Sequence, residues 1–483
     1  MQKTCYNVEN GIKLAKRICM LKVHSNLKRF SQFIAIDAIT IFSLTYILSE
    51  LFTSIGMSSF QVEKLILNSL ILFLLLVLNY VSLGFYYGKS RVSAKGMLMR
   101  GAVSILIAYF SHKYLLGLID IKQTPILTPI ILVLSLLTHV YWRKKFFQRG
   151  YFKFSKRKVV FLGAGERASF ISKRMRRAAD RRSYSFWGFI TLGRVESSIL
   201  EREKVIPSFD SDKALRHFIK QNDIDVIVLA NESHEELPLS LLLDLKIMGV
   251  QVTELEEFVE NELGQVMVES IKKEALLTSE GYEVRGSLSK ALNYLVNFCL
   301  ATIVLSLTAP IIIITAILIY FDDGKNGGTI FYSQRRVGLN GRYFNIVKFR
   351  SMGVDAEKDG AQWATKNDMR VTKIGAYLRK YRIDELPQLI NVFKGEMNFV
   401  GPRPERPEFV TALSKEINFF EYRHAVKPGL TGWAQVSYPY GASTNDSFEK
   451  LKFDLYYVKH RGFFFDFFIL LRTVEVVVFG QGR

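Results

Sequence analysis

The stretch LNYLVNFCLATIVLSLTAPIIIITAILIY, Leu292 to Tyr320, is long and apolar enough to enter hydrocarbon, yet Pro310 sits in its interior. Proline removes a backbone hydrogen bond and clashes with the preceding turn, so the helix is expected to kink or break there. Lys272, Lys273, Arg285 and Lys290 precede the segment, and Lys325, Arg335 and Arg336 follow it. Cations favour the cytoplasmic side, which places both ends on one face of a membrane. A helix that enters, bends at Pro310 and leaves on the same side satisfies that rule; a straight span with a kink is the alternative these residues leave open.

Four further apolar runs open the chain, Phe33 to Phe52, Leu65 to Phe85, Met97 to Ile119 and Ile126 to Trp142. Each is close to the ~20 residues needed to cross a bilayer, so residues 31–145 read as four transmembrane helices behind a basic N-terminus, 1–30. Lys13, Lys16, Arg17, Lys22, Lys28 and Arg29 precede the first run; Lys89, Arg91, Lys95 and Arg100 separate the second and third; Arg143, Lys144, Lys145 and Arg149 follow the fourth. Both termini of the bundle are therefore expected in the cytoplasm, with everything after Arg143 starting there. No small-residue cleavage site follows a short apolar core, so the first run is not read as a removed signal peptide. Asp37 within it is an expensive acid in hydrocarbon; its place near the cytoplasmic end favours snorkelling or pairing with Arg29.

The composition agrees, with 49% apolar residues and a formal charge of +20. The cations cluster beside apolar spans rather than on a reading module, which argues for a membrane surface and against nucleic acid. Three scattered cysteines exclude a disulfide framework and a zinc site.

Residues 156–275 read as a Rossmann-like parallel α/β domain. Lys158-Val-Val-Phe-Leu-Gly163-Ala-Gly165-Glu-Arg-Ala168 gives a strand and a glycine turn before a helical pattern over Ser169 to Ala179. A helix at Asp212 to Gln221 and a strand at Asp225 to Ala230 follow. The second strand, Phe186 to Arg194, ends without the acid that would hold a ribose hydroxyl, so oligomerisation or regulation is the favoured use of this domain over nucleotide binding.

Chemistry concentrates after Tyr320. Arg379-Lys-Tyr-Arg-Ile-Asp-Glu-Leu-Pro-Gln388 holds adjacent carboxylates, Asp384 and Glu385, among cations. Asp384 suits an N-cap and Pro387 a first helical turn, where the dipole favours anions. Around it stand Phe331-Tyr-Ser-Gln334-Arg-Arg-Val-Gly338, Phe344-Asn-Ile-Val-Lys348-Phe-Arg350-Ser-Met352, Gly401-Pro-Arg403-Pro404-Glu405, Lys427-Pro-Gly429-Leu-Thr-Gly432-Trp433 and Asp454-Leu-Tyr456-Tyr457. The prolines beside Arg403 stiffen its backbone, which suits a bidentate phosphate contact. The aromatic tail Arg461 to Arg472 reads as an interfacial helix, with a buried core helix as the alternative.

In this order the strings, from about Leu288 to Arg483, resemble the bacterial polyprenyl-phosphate phosphoglycosyl transferases of the monotopic superfamily, and the whole chain resembles the large subfamily of these initiating sugar transferases. The resemblance implies a membrane protein of α plus α/β class: a four-helix transmembrane bundle, the Rossmann-like domain, and a mainly helical catalytic domain, 286–483, with a re-entrant helix at about 291–320. It makes Asp384 and Glu385 the catalytic dyad, with Mg2+ held by Glu385 and Asp384. It also makes Lys348, Arg350, Arg379 and Arg403 substrate-binding residues and Pro310 the membrane helix break. Ala309 stands where the family often has serine, which removes hydroxyl assistance to the bend. The implied reaction moves a sugar 1-phosphate from a UDP-sugar, glucose or galactose, to undecaprenyl phosphate at the cytoplasmic face of the inner membrane. UMP leaves, and exopolysaccharide, capsule or O-antigen synthesis begins. Asp384 would form a covalent sugar-phosphoryl intermediate and must stay ionised, which Arg379, Arg382 and a helix N-terminus are expected to favour. Membrane lipids are further implied partners, and a homo-oligomer through the bundle or middle domain is an additional expectation.

Two other readings meet obstacles in the sequence. A membrane nucleotide-sugar dehydratase or epimerase needs a Tyr-x-x-x-Lys pair, and that spacing occurs only at Tyr109 and Lys113, inside an apolar run. A non-catalytic scaffold of polysaccharide export leaves the grouping of cations around Asp384 and Glu385 without a use.

Overall fold

The computed structural model describes residues 34–54, 62–82, 85, 94–118, 127–149, 157–174, 184–191, 204–209, 211–231, 237–270, 286–322, 328–356, 368–438, 441 and 443–478. The cations Lys13 to Arg29, Lys89, Arg91, Lys272, Lys273, Arg285 and Lys325, on which the expected orientation rests, lie outside the described residues. The chain forms two compact units, Met1–Phe258 and Val259–Arg483.

In the first unit the four apolar runs are helices: α1 (Ile34–Ser54), α2 (Val62–Ser82), α3 (Ala94–Leu118) and α4 (Leu127–Arg149). α2 packs on α3, and α3 on α4. α1 is long and apolar enough to cross a membrane, whereas the apolar parts of α2 and α4, Lys64–Tyr80 and Leu127–Trp142, are shorter. Arg29, the partner expected for Asp37, lies outside the described residues. Asp37 is buried, with Oδ1 2.8 Å from His139 Nδ1, because an acid among apolar helices needs a partner and α4 supplies one.

Five parallel strands follow, β1 (Arg157–Leu162), β2 (Tyr184–Ile190), β3 (Val205–Ile206), β4 (Val226–Leu229) and β5 (Gln251–Glu254), in the order β3-β2-β1-β4-β5. The helices are α5 (Glu166–Arg174), α6 (Asp212–Gln221), α7 (Leu239–Ile247) and α8 (Leu255–Leu263). This is the strand order of the dinucleotide fold. Val160, Leu162, Ile227 and Leu229 bury against Leu215 and Ile219 of α6 and Leu241 and Leu245 of α7. Gly163 has φ +118, and a Cβ there would stand 2.6 Å from the carbonyl carbon of Ala230, so only glycine lets the first turn lie against the end of β4.

The second unit is built on α9 (Ser287–Asp322), β6 (Phe331–Val337), β7 (Tyr343–Phe349), α10 (Lys373–Lys380), α11 (Leu389–Phe393), β8 (Asn398–Val400), α12 (Pro407–Glu416), β9 (Gly429–Thr431), α13 (Trp433–Ser437), α14 (Thr444–His460) and α15 (Phe463–Val478). β6 and β7 form an antiparallel hairpin, and β8 and β9 a parallel pair. These strands sit inside what the sequence presents as a mainly helical domain. Val259–Ser270, which the sequence reading assigns to the middle domain, belongs to this unit because Val266 and Val268 bury against Leu413, Phe420, Leu451 and Leu455.

α9 runs without interruption through Pro310, so the proline does not end the helix. Both halves rest on the same unit. Ala301 and Val304 pack with Leu389, Met397 and Val400; Ile312, Ala316 and Ile319 pack with Phe349 and Leu378. The first half is also fixed by polar contacts: Asn297 Oδ1 accepts the Phe399 N–H at 2.7 Å, and Tyr294 donates to the Phe393 carbonyl at 3.0 Å. α15 buries Ile469 and Leu471 while Phe463 and Phe464 stay exposed, so the tail is a core helix along one side.

Asn391, at 0% exposure, ties α11 to β7: its amide donates to the Asn345 carbonyl at 2.8 Å and to Glu396 at 2.7 Å, and its oxygen accepts the Val347 N–H at 3.1 Å. Asn391→Ala strands two of these backbone groups, and a loss of about 3 kcal/mol is expected in denaturant unfolding of the detergent-solubilised protein. A change below about 0.5 kcal/mol would contradict this account of β7.

Candidate active site

α10 starts at Thr372, whose hydroxyl accepts the Gly375 N–H at 2.9 Å, and closes at Tyr381. Arg382 then takes φ +55, a left-handed conformation that a non-glycine residue adopts only at a cost. That turn redirects the chain into a 3-10 helix, Ile383–Gln388, packed against β7. Asp384 is therefore not the N-cap; Arg382 holds that position and makes no side-chain cap bond. Pro387 is buried inside the 3-10 turn, where its missing N–H costs little.

The loop after β8 carries Arg403. Gly401 donates its N–H to the Thr431 carbonyl at 2.9 Å, and a Cβ on Gly401 would lie 2.4 Å from the Lys427 carbonyl oxygen. The Gly-Pro-Arg-Pro and Lys-Pro-Gly-Leu-Thr-Gly strings thus meet backbone to backbone, a contact that side chains would prevent. Arg423 Nη2 donates to the Arg403 carbonyl at 3.0 Å and pairs with buried Asp454 at 2.8 Å, bracing the loop from beneath.

Glu385 is the hub. Its Oε1 accepts from Arg403 Nη2 at 2.9 Å, and its Oε2 lies 3.5 Å from Arg382 Nη1. Burial acts to raise its pKa but is outweighed by Arg403, Lys348 and Arg382, which hold Glu385 well below the usual carboxylate range. Asp384 goes the other way. Burial and the adjacent Glu385 charge push it up, and Lys348, Arg403 and Arg379 offset this only in part. Arg379 lowers the Asp384 pKa as the sequence suggests, whereas Arg382 faces Glu385 instead, and burial together with the Glu385 charge outweighs the cations around half-buried Asp384.

Lys348, on β7, is pushed down to about 8 by burial and by Arg403, against the pull of Glu385 and Asp384. Arg379, in the last turn of α10, acts on Asp384 through its charge. Arg350 is directed elsewhere, donating to the Thr329 hydroxyl at 2.7 Å. The structure thus gathers Asp384, Glu385, Lys348, Arg379 and Arg403 and leaves Arg350 at the edge. Sequence reasoning missed Arg336, half-buried and 3.7 Å from Glu405, whose charge lowers the pKa of Lys348. It also passed over Gln435, whose Oε1 faces Arg403 Nη1 at 3.4 Å, and the Arg423–Asp454 pair. Arg336 and Asp454 lie within the polar strings after Tyr320, but no spacing signals which partners they meet.

Elsewhere, Arg167 at the glycine turn of the parallel sheet is bound to Glu256 at 2.5 Å and to the Asn231 carbonyl at 2.7 Å. Tyr109 and Lys113 both lie on α3 rather than in that sheet.

A family model described as bacterial sugar transferase matches residues 288–480. A putative undecaprenyl-phosphate N-acetylgalactosaminyl 1-phosphate transferase of Bacillus subtilis is 47% identical over 133 residues, 28% of this chain and 73% of the relative. The chain belongs to the bacterial sugar transferase family. As a sugar transferase it is also similar to the UDP-N-acetylgalactosamine-undecaprenyl-phosphate N-acetylgalactosaminephosphotransferase of Aeromonas hydrophila, 44% identical over 182 residues, 38% of this chain and 42% of the relative. The undecaprenyl-phosphate glucose phosphotransferase of Komagataeibacter xylinus is 37% identical over 179 residues, 36% of this chain and 33% of the relative. The similarity thus spans less than half the length of these two relatives.

Asp454→Asn would leave the buried Arg423 guanidinium without its counter-charge. A loss of about 3 kcal/mol or more in unfolding free energy is expected, measured by denaturant titration in detergent. An unchanged midpoint would show that the pair does not brace the Arg403 loop.

Proposed function

We propose that this sugar transferase moves a sugar 1-phosphate from a UDP-sugar to undecaprenyl phosphate and releases UMP, so initiating polysaccharide assembly at the cytoplasmic face of a bacterial inner membrane. One observation carries the reading: Lys348, Arg336, Arg379, Arg382 and Arg403 gather around the carboxylates Asp384, Glu385 and Glu405. Such a surplus of cations over a buried acid pair suits a diphosphate. The names of the relatives supply the acceptor, undecaprenyl phosphate, and differ in the sugar, N-acetylgalactosamine in one and glucose in another. For this chain UDP-glucose and UDP-galactose are the donors proposed, with UDP-N-acetylgalactosamine beside them.

Asp384 is the nucleophile. Its carboxylate oxygen bonds to the phosphorus bearing the sugar as the bridging P–O bond to UMP breaks, and UMP leaves with that electron pair. An oxygen of undecaprenyl phosphate then attacks the same phosphorus, the acyl-phosphate bond breaks, and the Asp384 carboxylate is restored. Glu385, neutralised by Arg403 and Arg382, cannot readily take that role; it orients Arg403 towards the phosphates. The raised pKa of Asp384 gives a more basic attacking carboxylate while leaving it ionised near neutrality.

Among the described residues no cluster of three or more metal-binding side chains occurs. Adjacent carboxylates nevertheless suit Mg2+, which usually takes one or two carboxylates and completes its shell with substrate phosphate and water. Glu385 and Asp384 would hold it, and the ion would neutralise diphosphate charge.

The packing of α9 supports re-entry. A straight crossing of ~30 Å of hydrocarbon would carry one half of the helix away from the domain, yet both halves rest on it. Leu307, 74% exposed, lies between the two packed stretches and would mark the deepest point.

Asp384→Asn is expected to abolish UMP release across a panel of UDP-hexoses in detergent with Mg2+ and undecaprenyl phosphate, while the protein stays folded. In the wild type, kcat/KM should fall on acidification above the ordinary carboxylate range, since protonated Asp384 cannot attack. Substantial turnover by the Asn variant would remove Asp384 from this role. For the membrane helix, single cysteines at Ser287 and Asp322 in a cysteine-free background should both resist an impermeant maleimide in intact spheroplasts and both react in inside-out vesicles. Opposite reactivity of the two would mean a straight span.

A further inference from the structure

α13 is a five-residue helix that brings Gln435 up to Arg403. An arginine side chain has only donors, so the atom of Gln435 that faces it must be the carbonyl oxygen Oε1. The opposite atom, Nε2, is buried and finds no acceptor among the described residues. A buried unpaired donor is costly, so this amide forgoes its own satisfaction to present an oxygen to Arg403. The Arg403 fork is then held at two points, Nη2 on Glu385 and Nη1 on Gln435. Two contacts fix the plane of a guanidinium where one would leave it free to swing.

Something must in turn fix α13, because a helix this short has little stability of its own. Trp433 does so. Its indole N–H donates to the Gly264 carbonyl at 2.7 Å, and its ring sits among Phe453, Tyr456, Phe465 and Phe468. Gly264 has φ +64, and a Cβ there would come within 3.0 Å of the Trp433 ring, so glycine allows both the turn and the close approach. The chain around Gly264 is itself pinned to α14. Glu260 binds Lys459 at 2.9 Å and His460 at 2.5 Å, Val266 donates its N–H to the Lys452 carbonyl at 3.0 Å, and buried Lys452 pairs with Glu269 and Glu449. Lys459 in the last turn of α14 also complements its dipole.

We infer that Trp433 and Gln435 are positioning residues for Arg403, and that the strap Val259–Ser270, which lies ahead of the matched sugar transferase region, is the foundation on which they stand. The line runs from Gly264 through Trp433 and Gln435 to the Arg403 fork, and so to the diphosphate of the donor. This rests on the proposed transfer from a UDP-sugar and adds to it residues that hold the phosphate-binding arginine in register.

The test uses the full chain in detergent with the most active UDP-sugar from the panel. Gln435→Leu keeps the shape and deletes the oxygen; KM for the UDP-sugar should rise by about tenfold or more, the cost of a hydrogen bond to a charged group, with kcat changed less than KM. Gln435→Glu restores an oxygen for Arg403 and should return KM most of the way. In an Arg403→Gln background, Gln435→Leu should add little, because its effect passes through Arg403. Trp433→Phe keeps an aromatic side chain and removes the indole N–H, and should raise KM in the same direction. UMP release by the wild type with Gln435→Leu and Trp433→Phe indistinguishable from it would overturn this inference alone. Full additivity of Gln435→Leu with Arg403→Gln would also overturn it. A folded wild type that releases no UMP from any UDP-sugar would overturn the transfer reading and this inference with it.

Discussion

Two adjacent carboxylates on one turn, partly withdrawn from water, cannot both be ionised at equal cost, and the catalytic unit is organised around resolving that conflict. It does so by giving the cations to one of them. Arg403 and Arg382 close on Glu385, which stays charged, and Asp384, through its burial and the Glu385 charge beside it, holds its proton more tightly. The asymmetry turns a chemically similar pair into one carboxylate held by arginines and one whose pKa is raised.

That division requires Arg403 to arrive from one side and β7 from the other with little freedom. Arg403 is carried on a loop whose glycines let two backbone strands touch, and it is braced from below by the buried Arg423–Asp454 pair. β7 is stitched to α11 by Asn391, which places Lys348 near both acids. α9 supports both regions at once, the first half through Asn297 and β8, the second through Leu378 and Phe349. An apolar helix thus belongs to the core of the catalytic unit and exposes much of its remaining surface, as expected of a helix that also faces lipid.

The first unit shows the same economy of polar groups among apolar ones. Asp37 and His139 join α1 to α4 inside the bundle, where an unpaired acid would not be tolerated. In the parallel sheet the glycine turn follows β1 as the sequence suggests, while Arg167 is committed to Glu256 and to the Asn231 carbonyl.

The sequence by itself determined the features that depend on local pattern: the apolar helices, the glycine turn of the parallel sheet, and the acidic pair with most of its cations. Hydropathy runs, glycine spacing and short motifs are local, and a helix or turn expresses them wherever it lies. The tertiary structure alone decided which cation serves which acid, that Arg382 rather than Asp384 precedes the turn, that Arg350 faces Thr329, and that the chain from Val259 belongs to the catalytic unit. Those outcomes depend on burial and on contacts between segments far apart in the chain, such as Gly264 with Trp433 and Glu385 with Arg403. The direction of the Asp384 shift is the clearest case, since nearby arginines in sequence suggest a lowered pKa and only the geometry shows that burial and the Glu385 charge outweigh them.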